Sequence, residues 1–294
     1  MTAATCADIL ALSRAGHRHA WTVRDAMTYA HAIGLGRDPF DAVERRYVWS
    51  RPGPVPVVPG FAFSQAVHDL IYPYIDVPKM VQLEQQVVLH QPLPAAAEVE
   101  AEHRVIGVED KGAAKGLVLR VASRVRTQDG APLYDVLNVH YARGDGGKAQ
   151  DGSLQRLERP WDDFTMPAAR PRPDRAPDLV RSTVTQPNQA LLYHLVGDRN
   201  DVHGDPELAR RLGFAGPILH GACSLGIACR EILAGLCGYD AARIAALGTS
   251  YTAVGYPGEE LVTDLWVEGS EVWFRTRAPA RGAVVLDRGT ARLR

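Results

Sequence analysis

The order of secondary-structure patterns repeats along the chain, and this repeat limits the possible folds more than any other feature. In the first half, a helical pattern at 60–72 precedes four strand-like runs, at 80–90, 98–108, 117–127 and 133–141. In the second half, a helical pattern at 222–236 precedes four more, at 244–254, 260–268, 271–278 and 282–293. In the helical patterns, apolar side chains recur at helical spacing. The strand-like runs alternate between apolar and polar residues or are rich in β-branched residues. A helix followed by an antiparallel run of strands is an α+β unit, so the sequence predicts two such units.

The chain divides into three segments where its composition changes. We predict an N-terminal unit at 1–143, a linker at 144–182 and a C-terminal unit at 183–294. The linker combines many charges with prolines at 160, 167, 171, 173 and 177, which is typical of a segment that crosses a surface. A chain of 294 residues is long enough for two domains that each bury a core.

Local patterns give further expectations for the N-terminal unit. Residues 1–20 are weakly patterned and fit a short helix or a loose arm, and Thr22 is placed to cap a helix that ends near Gly34. We predict a short strand at 46–49 and a core helix over 60–72. His68, within that helix, is more typical of a packed or surface histidine than of a ligand.

Composition excludes several classes of protein. A net charge of -1 gives no general attraction to nucleic acid or to an anionic membrane. No window approaches the roughly 18 apolar residues of a membrane span, and the N-terminus lacks a basic region followed by an apolar run. The four cysteines form no CxxC pair, and we expect them to be reduced and buried. These features favour a cytoplasmic enzyme.

The stretch at 189–221 carries the candidate chemistry. An apolar, helix-compatible segment ends at Gly197, so Asp198, Asn200 and His203 fall on a turn. Catalytic residues are often found on turns that rigid neighbours hold in place.

A short helix and then a long one follow this turn. Asp205 and Pro206 are typical of the N-cap and first residue of a helix, and Gly213 ends it. The chain then turns at Gly216-Pro217 before His220-Gly221 and the long apolar helix.

These residues resemble the signature of a known family. Gly197-Asp198-x-Asn200-x-x-His203, followed by Gly-Pro-Ile-Leu-His-Gly at 216–221, is similar to the motif of the MaoC-like (R)-specific enoyl-CoA hydratases, or hydratase 2 enzymes. Segments of the N-terminal unit resemble the inactive first half of the two-unit members, namely 24–36, 58–61, 84–85, 89–94 and 110–112. The resemblance implies a double hot-dog fold, in which each unit wraps an antiparallel sheet around a long helix. The first unit would then be non-catalytic and would shape the acyl pocket.

The resemblance also implies the roles of individual residues. Hydration of an enoyl thioester needs a base for water, a proton source for C2 and stabilisation of charge on the thioester oxygen. Asp198 and His203 would activate the water, and Asn200 would orient it. The backbone N–H of Gly221 would receive the oxygen, since a helix N-terminus presents unpaired donors.

The substrate would be an acyl-CoA thioester, with coenzyme A as its carrier and no further cofactor. Local cations would have to meet its phosphates, and the candidates are Arg199, Arg210 and Arg211. We also include His220 among the substrate-binding candidates, although packing is an equal alternative. The resemblance further implies a homodimer, and an acyl group that includes long chains or steroid side chains.

Two departures from the motif keep other interpretations open. The family's Asn-Pro is Asn200-Asp201 here, and Val196 replaces the small hydroxyl residue that often precedes the Gly-Asp pair. The alternatives are a 3-hydroxyacyl-ACP dehydratase of fatty-acid synthesis, a thioesterase and a non-catalytic acyl-thioester binding protein. A metal site at Asp198, His203 and His220 is disfavoured, because their spacing matches no compact zinc pattern.

Overall fold

A computed structural model describes residues 4–51, 53–66, 69–149, 153–168, 170–198 and 200–294 of the chain. Its main feature is one antiparallel sheet of eleven strands. The strands are β1 (Ser13–Trp21), β2 (Met80–Leu89), β3 (Ala97–Asp110), β4 (Leu117–Thr127), β5 (Pro132–Ala142), β6 (Gln155–Glu158), β7 (Leu179–Val184), β8 (Ile244–Tyr251), β9 (Glu260–Glu268), β10 (Glu271–Ala278) and β11 (Ala283–Leu293). The helices are α1 (Cys6–Leu10), α2 (Val23–Ala32), α3 (Ala42–Arg45), α4 (Phe61–Gln65), α5 (Gln189–His194), α6 (Pro206–Arg211) and α7 (Gly221–Leu236).

The two units meet edge to edge within this sheet. The strand order is β1-β3-β4-β5-β2-β8-β11-β10-β9-β7, and β6 pairs with β3 outside this path. Strand β2 of the first unit pairs directly with β8 of the second, with Gln85 opposite Thr249 and Val87 opposite Leu247. The predicted strand runs are confirmed in both halves.

Helix α7 forms the centre of the second unit. Its sixteen residues are mostly buried, and the first charged side chain is Arg230 in the third turn. Such a helix needs apolar neighbours on most sides, and the sheet together with α2 and α4 supplies them. One large apolar cluster therefore contains residues of both units.

The central helix of the first unit is shorter than the sequence predicts. Helix α4 ends at Gln65, so the prediction of a core helix across 60–72 is wrong for residue 66 and for residues 69–72. Leu70 and Ile71 pack instead in a separate apolar cluster with Cys6 and Ile9 of α1, so tertiary packing overrides the helical spacing. His68 lies outside the described residues.

Two other local predictions for the first unit need correction. Residues 46–49 are not a strand, because Tyr47 N–H donates to the carbonyl of Glu44 and continues the turn that follows α3. The weakly patterned N-terminus contains α1 and also a full strand, β1, at the edge of the sheet. By contrast, the predicted Thr22 cap of α2 is confirmed as a capping box with Asp25.

The segment predicted as a linker contains more structure than its composition indicates. Strand β6 and the first residues of β7 lie within 144–182. Trp161 lies between the guanidinium groups of Arg104 and Arg124, at 4.4 and 4.5 Å from the ring centre. These cation–π contacts hold the segment against the sheet. The three-way division of the chain itself stays a prediction.

All four cysteines are buried free thiols. In the described part of the chain, no helix combines the length and apolar character that crossing a membrane requires.

Candidate active site

The candidate catalytic turn lies between α5 and α6. Helix α5 stops before Gly197, whose φ of +128° is a backbone conformation that L side chains rarely adopt. A short 3-10 turn, Asp201–His203, follows, and the side-chain oxygen of Asn200 caps it by accepting from Val202 N–H at 3.3 Å. The sequence thus places Asp198 before this turn and His203 at its end.

His203 is held in one tautomer by its surroundings. Its Nδ1 lies 2.9 Å from the carbonyl oxygen of Ile218, and a carbonyl can only accept, so Nδ1 carries the hydrogen. The other ring nitrogen, Nε2, is therefore a bare acceptor. Burial lowers the pKa of His203 below its ordinary value of 6.5, although the Asp198 carboxylate opposes this shift. The ring is thus held in the form that can take a proton from water.

His220 lies directly beneath this ring. The two imidazoles are stacked, with centroids 3.6 Å apart and planes inclined by 24°. His220 is 1% exposed, and its Nε2 lies 3.4 Å from the backbone oxygen of Asp198. Burial and then the neighbouring His203 lower the pKa of His220 to about 2, so it stays uncharged.

The three titratable groups of the site converge on one point. One oxygen of Asp198 and one nitrogen each of His203 and His220 lie within 4.8 Å of one another. Asp198 is exposed while both histidines are buried, so the carboxylate forms the solvent side of the cluster. The nearly parallel rings disfavour a shared metal ion, because the lone pairs of stacked imidazoles lie in separate planes and do not meet at one ligand position.

Gly221 begins α7 next to this cluster. Its N–H lies in the first turn, where helix donors have no intrahelical acceptor, and no side-chain hydrogen bond caps this end. A Cβ atom at this position would lie 2.9 Å from Cε1 of Tyr251. Only glycine therefore fits here without a shift of the Tyr251 ring.

The arginines predicted to bind coenzyme A are not part of the cluster formed by Asp198, His203 and His220. Arg210 and Arg211 are exposed in the last turn of α6, and Arg211 lies 4.0 Å from Glu207. Val202, Ala209 and Ile218 form a small apolar cluster that joins α6 to the catalytic turn. Arg199 lies outside the described residues.

Two tyrosines near the site were not singled out from the sequence. The Tyr193 ring of α5 contacts His220, with centroids 4.9 Å apart. Tyr72 belongs to the first unit and keeps 37% of its surface exposed, and partial desolvation followed by the nearby charge of Asp198 raises its pKa. No local pattern marks Tyr72, because its approach to Asp198 depends on how the two units pack.

The fold and the site together define a class of protein: a double hot-dog protein with a carboxylate and a histidine at the start of the second central helix. Solved structures agree with this assignment. A MaoC-like dehydratase from Phytophthora capsici is similar over 99% of each chain, with 27% identity and a TM-score of 0.82. A Mycobacterium tuberculosis protein described as a double hot-dog fold matches with a TM-score of 0.60 and 14% identity, which shows the fold alone.

Sequence comparisons identify the family within this class. Residues 168–287 match the MaoC like domain, and residues 19–144 match the MFE-2 hydratase 2 N-terminal domain. An enoyl-CoA hydratase of Mycobacterium tuberculosis is 34% identical over 91% of each chain. The peroxisomal enoyl-CoA hydratase 2 of Arabidopsis thaliana is 32% identical over 92% of this chain and 89% of its own. The chain belongs to the hydratase 2 branch of the MaoC-like family, which confirms the resemblance seen in the sequence.

Proposed function

We propose that the protein catalyses the reversible, (R)-specific hydration of trans-2-enoyl-CoA to (R)-3-hydroxyacyl-CoA. One observation carries this proposal: an exposed carboxylate at Asp198 lies close to buried His203, whose second ring nitrogen is a bare acceptor, at the start of α7. The names of the relatives, enoyl-CoA hydratases from a bacterium and a plant, support the same reaction.

The geometry supports a reaction in which one water supplies both the hydroxyl added to C3 and the hydrogen added to C2. Asp198 and His203 hold the water, and its oxygen attacks C3 as the pair takes one of its protons. The C2–C3 π electrons move towards the thioester carbonyl, and the same pair then returns a proton to C2. The product gains H and OH, and the enzyme recovers its starting protonation state. Because both groups touch one water, their titrations are coupled, and the roles of base and acid belong to the pair.

Two neighbours support the reacting pair. Asn200 uses its side-chain oxygen in the cap of the 3-10 turn, which leaves its amide N–H groups to donate to the water. The N–H of Gly221 donates a hydrogen bond to the thioester oxygen and stabilises the negative charge that develops there. One preorganised donor of this kind is worth about 3 kcal/mol in the transition state.

The burial of His220 favours support of His203 over contact with substrate. Its ring is covered by His203 on one face, contacts Tyr193 and reaches the backbone of Asp198. An uncharged ring in this place covers one face of the His203 ring without adding a positive charge. We therefore assign His220 to the support of the catalytic pair.

The test is a hydration assay on a panel of trans-2-enoyl-CoA esters, from crotonyl to long-chain and steroid side-chain esters, with chiral analysis of the product. We expect the (R)-3-hydroxyacyl-CoA, and the (S) product or no hydration across the panel contradicts the proposal. Turnover only of acyl carrier protein esters would indicate the dehydratase alternative, and release of free coenzyme A would indicate a thioesterase. Tight binding without turnover would indicate a binding protein.

Recognition of coenzyme A is proposed for the cations of α6 and the adjoining turn. Arg210 and Arg211 are exposed, and the short helix that carries them packs on the catalytic turn. We expect Arg210→Ala and Arg211→Ala to raise KM for coenzyme A esters while leaving kcat unchanged. The matched control is the pantetheine ester, which lacks the nucleotide phosphates and should show no change in KM.

A homodimer and a cytoplasmic location complete the proposal. The edge strand β7 presents exposed Val180 and Val184, and α5 with its C-cap residue presents exposed Leu191 and Leu195, which together offer apolar surface for a second copy. Light scattering on the purified protein tests the dimer, and a monomer at all concentrations contradicts it. The unpaired thiols fit a reducing compartment, and imaging of the tagged protein in its host tests the location.

A further inference from the structure

The start of α7 is positioned by a side chain of the neighbouring strand. The Tyr251 ring, at the end of β8, lies so close to Gly221 that a Cβ atom there would be 2.9 Å from Cε1 and 3.1 Å from Cδ1. The ring therefore packs against the residue whose N–H is the proposed donor to the thioester oxygen. A displacement of Tyr251 would remove the surface against which Gly221 packs.

Tyr251 is fixed in turn by two side chains of the first unit. Its hydroxyl donates to Oε1 of Gln85 at 2.5 Å, and Nε2 of Gln85 donates to Oδ1 of Asn138 at 2.8 Å. Gln85 and Asn138 are 7% and 6% exposed. They lie directly opposite each other on β2 and β5, and the β2–β8 pair brings Gln85 beside Tyr251. The first unit is thus linked to the candidate oxyanion site by two consecutive hydrogen bonds.

Tyr251, Gln85 and Asn138 are linked by polar contacts, although Gln85 and Asn138 are buried. Buried amides and hydroxyls are costly unless they are hydrogen bonded, and an apolar wall would fill the same space without that requirement. Hydrogen bonds, unlike apolar contacts, fix both distance and direction. Burial also raises the pKa of Tyr251 far above its ordinary value, so the phenol remains a donor.

We propose that Gln85 and Asn138 are positioning residues for the reaction, which act through Tyr251 to fix the backbone N–H of Gly221 against the thioester oxygen. This inference rests on the proposed function. It gives the first unit an indirect part in the chemistry, through the positioning of the oxyanion donor, in addition to its part in the shared sheet. Oxyanion stabilisation depends on donors that are held in place before the charge develops, so small displacements lower turnover.

Two variants interrupt the series of hydrogen bonds from Asn138 through Gln85 to Tyr251 at different points. Tyr251→Phe removes the hydroxyl but keeps the ring against Gly221, and Gln85→Leu removes the amide while keeping a similar volume. We expect each to lower kcat by about tenfold, less than the loss of a whole oxyanion donor, because the N–H remains but is poorly placed. KM should stay unchanged, since the interaction forms mainly in the transition state. The double variant should be no slower than Gln85→Leu alone, because both changes break the same series of hydrogen bonds.

The matched control is Thr276→Val, which removes a different buried hydrogen bond. Thr263 and Thr276 are both fully buried on β9 and β10, with their hydroxyl oxygens 3.0 Å apart. This variant should lower the melting temperature and leave kcat unchanged. If Gln85→Leu does not fold, Tyr251→Phe, which keeps the ring, carries the test.

Three results would overturn the inference. These are a kcat for Tyr251→Phe equal to the wild type, a loss of kcat in Thr276→Val that matches it, or multiplying losses in the double variant. Each leaves the proposed function intact as long as the wild type hydrates enoyl-CoA. Absence of hydration by the wild type contradicts the proposed function itself.

Discussion

The two units share one sheet but differ at the start of their central helices. In both, the first residues of the helix press against a tyrosine: a Cβ at Gly60 would lie 2.5 Å from the hydroxyl of Tyr29, and one at Gly221 would lie 2.9 Å from the ring of Tyr251. Only the second unit adds the turn with Asp198 and His203. The glycine thus belongs to the packing of a helix within this fold, and the chemistry comes from the turn placed before it.

The segment before α4 has a structural role instead. Gly36 N–H donates to Glu44, which also accepts from Arg230 of α7 at 2.8 Å. Arg37 donates to Gln189 of α5 at 2.6 Å. Charged side chains of the first unit therefore bind it to the second unit. In the second unit, by contrast, the carboxylate of Asp198 is exposed to solvent. Substitutions in the two units can separate these roles.

Loss of either member of the catalytic pair should have the largest effect. We expect Asp198→Asn and His203→Ala each to lower kcat by about two or more orders of magnitude, as removal of a general acid or base usually does. The matched control is Asp38→Asn in the first unit, whose carboxylate accepts from Phe40 N–H and should not affect turnover. Steady-state kinetics on one enoyl-CoA ester decide the matter, and wild-type rates in both site variants would disprove the assignment.

Alanine at the two helix-start glycines should separate chemistry from packing. Gly221→Ala forces the Tyr251 ring and the helix start apart, so we expect kcat to fall by roughly 10²-fold, as for loss of an oxyanion donor. Gly60→Ala meets the hydroxyl of Tyr29 and should lower the melting temperature without lowering kcat of the folded protein. Equal kinetic losses in both variants would show that the units are not divided in this way.

Stability should decrease as the pH is lowered, because His220 is buried and His19 is half-buried in the uncharged form. Burial lowers the pKa of His220 to about 2 and that of His19 to about 4. Below the ordinary value of 6.5, the unfolded chain takes up protons that the folded chain refuses, so the free energy of unfolding falls as pH decreases. His19→Phe should reduce the loss measured by urea unfolding at about pH 7 and about pH 5. An unchanged loss would contradict the contribution of His19.

Proline in place of Asp201 should have the smallest effect. Asp201 is exposed and is the first residue of the 3-10 turn, a position where proline is favoured because the turn does not use its N–H. We expect Asp201→Pro to keep kcat and KM close to wild type. A large gain in kcat would show instead that this carboxylate disturbs the site, which is the feature that left a binding protein open as an alternative.

Much of the fold could be predicted from local patterns. Alternating runs placed eight long strands, and cap residues placed the starts of α2 and α6, because these signals act within a few residues. The prediction failed at α4 and at 46–49, where residues with suitable spacing were drawn into contacts with α1 or with the turn after α3. The spacing of residues in the sequence does not show whether tertiary contacts will replace a local helix or strand.

Local sequence patterns identify the family and predict the two-unit plan. They also identify the candidate pair, because Asp198 and His203 lie five residues apart on one turn. The surroundings of this pair depend on tertiary contacts. The stacking of His220 on His203 depends on chain segments 17 residues apart, and the link from Gln85 to Gly221 depends on the pairing of β2 with β8. Contacts between distant segments are set by packing of the whole core, so no local pattern could have shown that the first unit holds the helix start of the second.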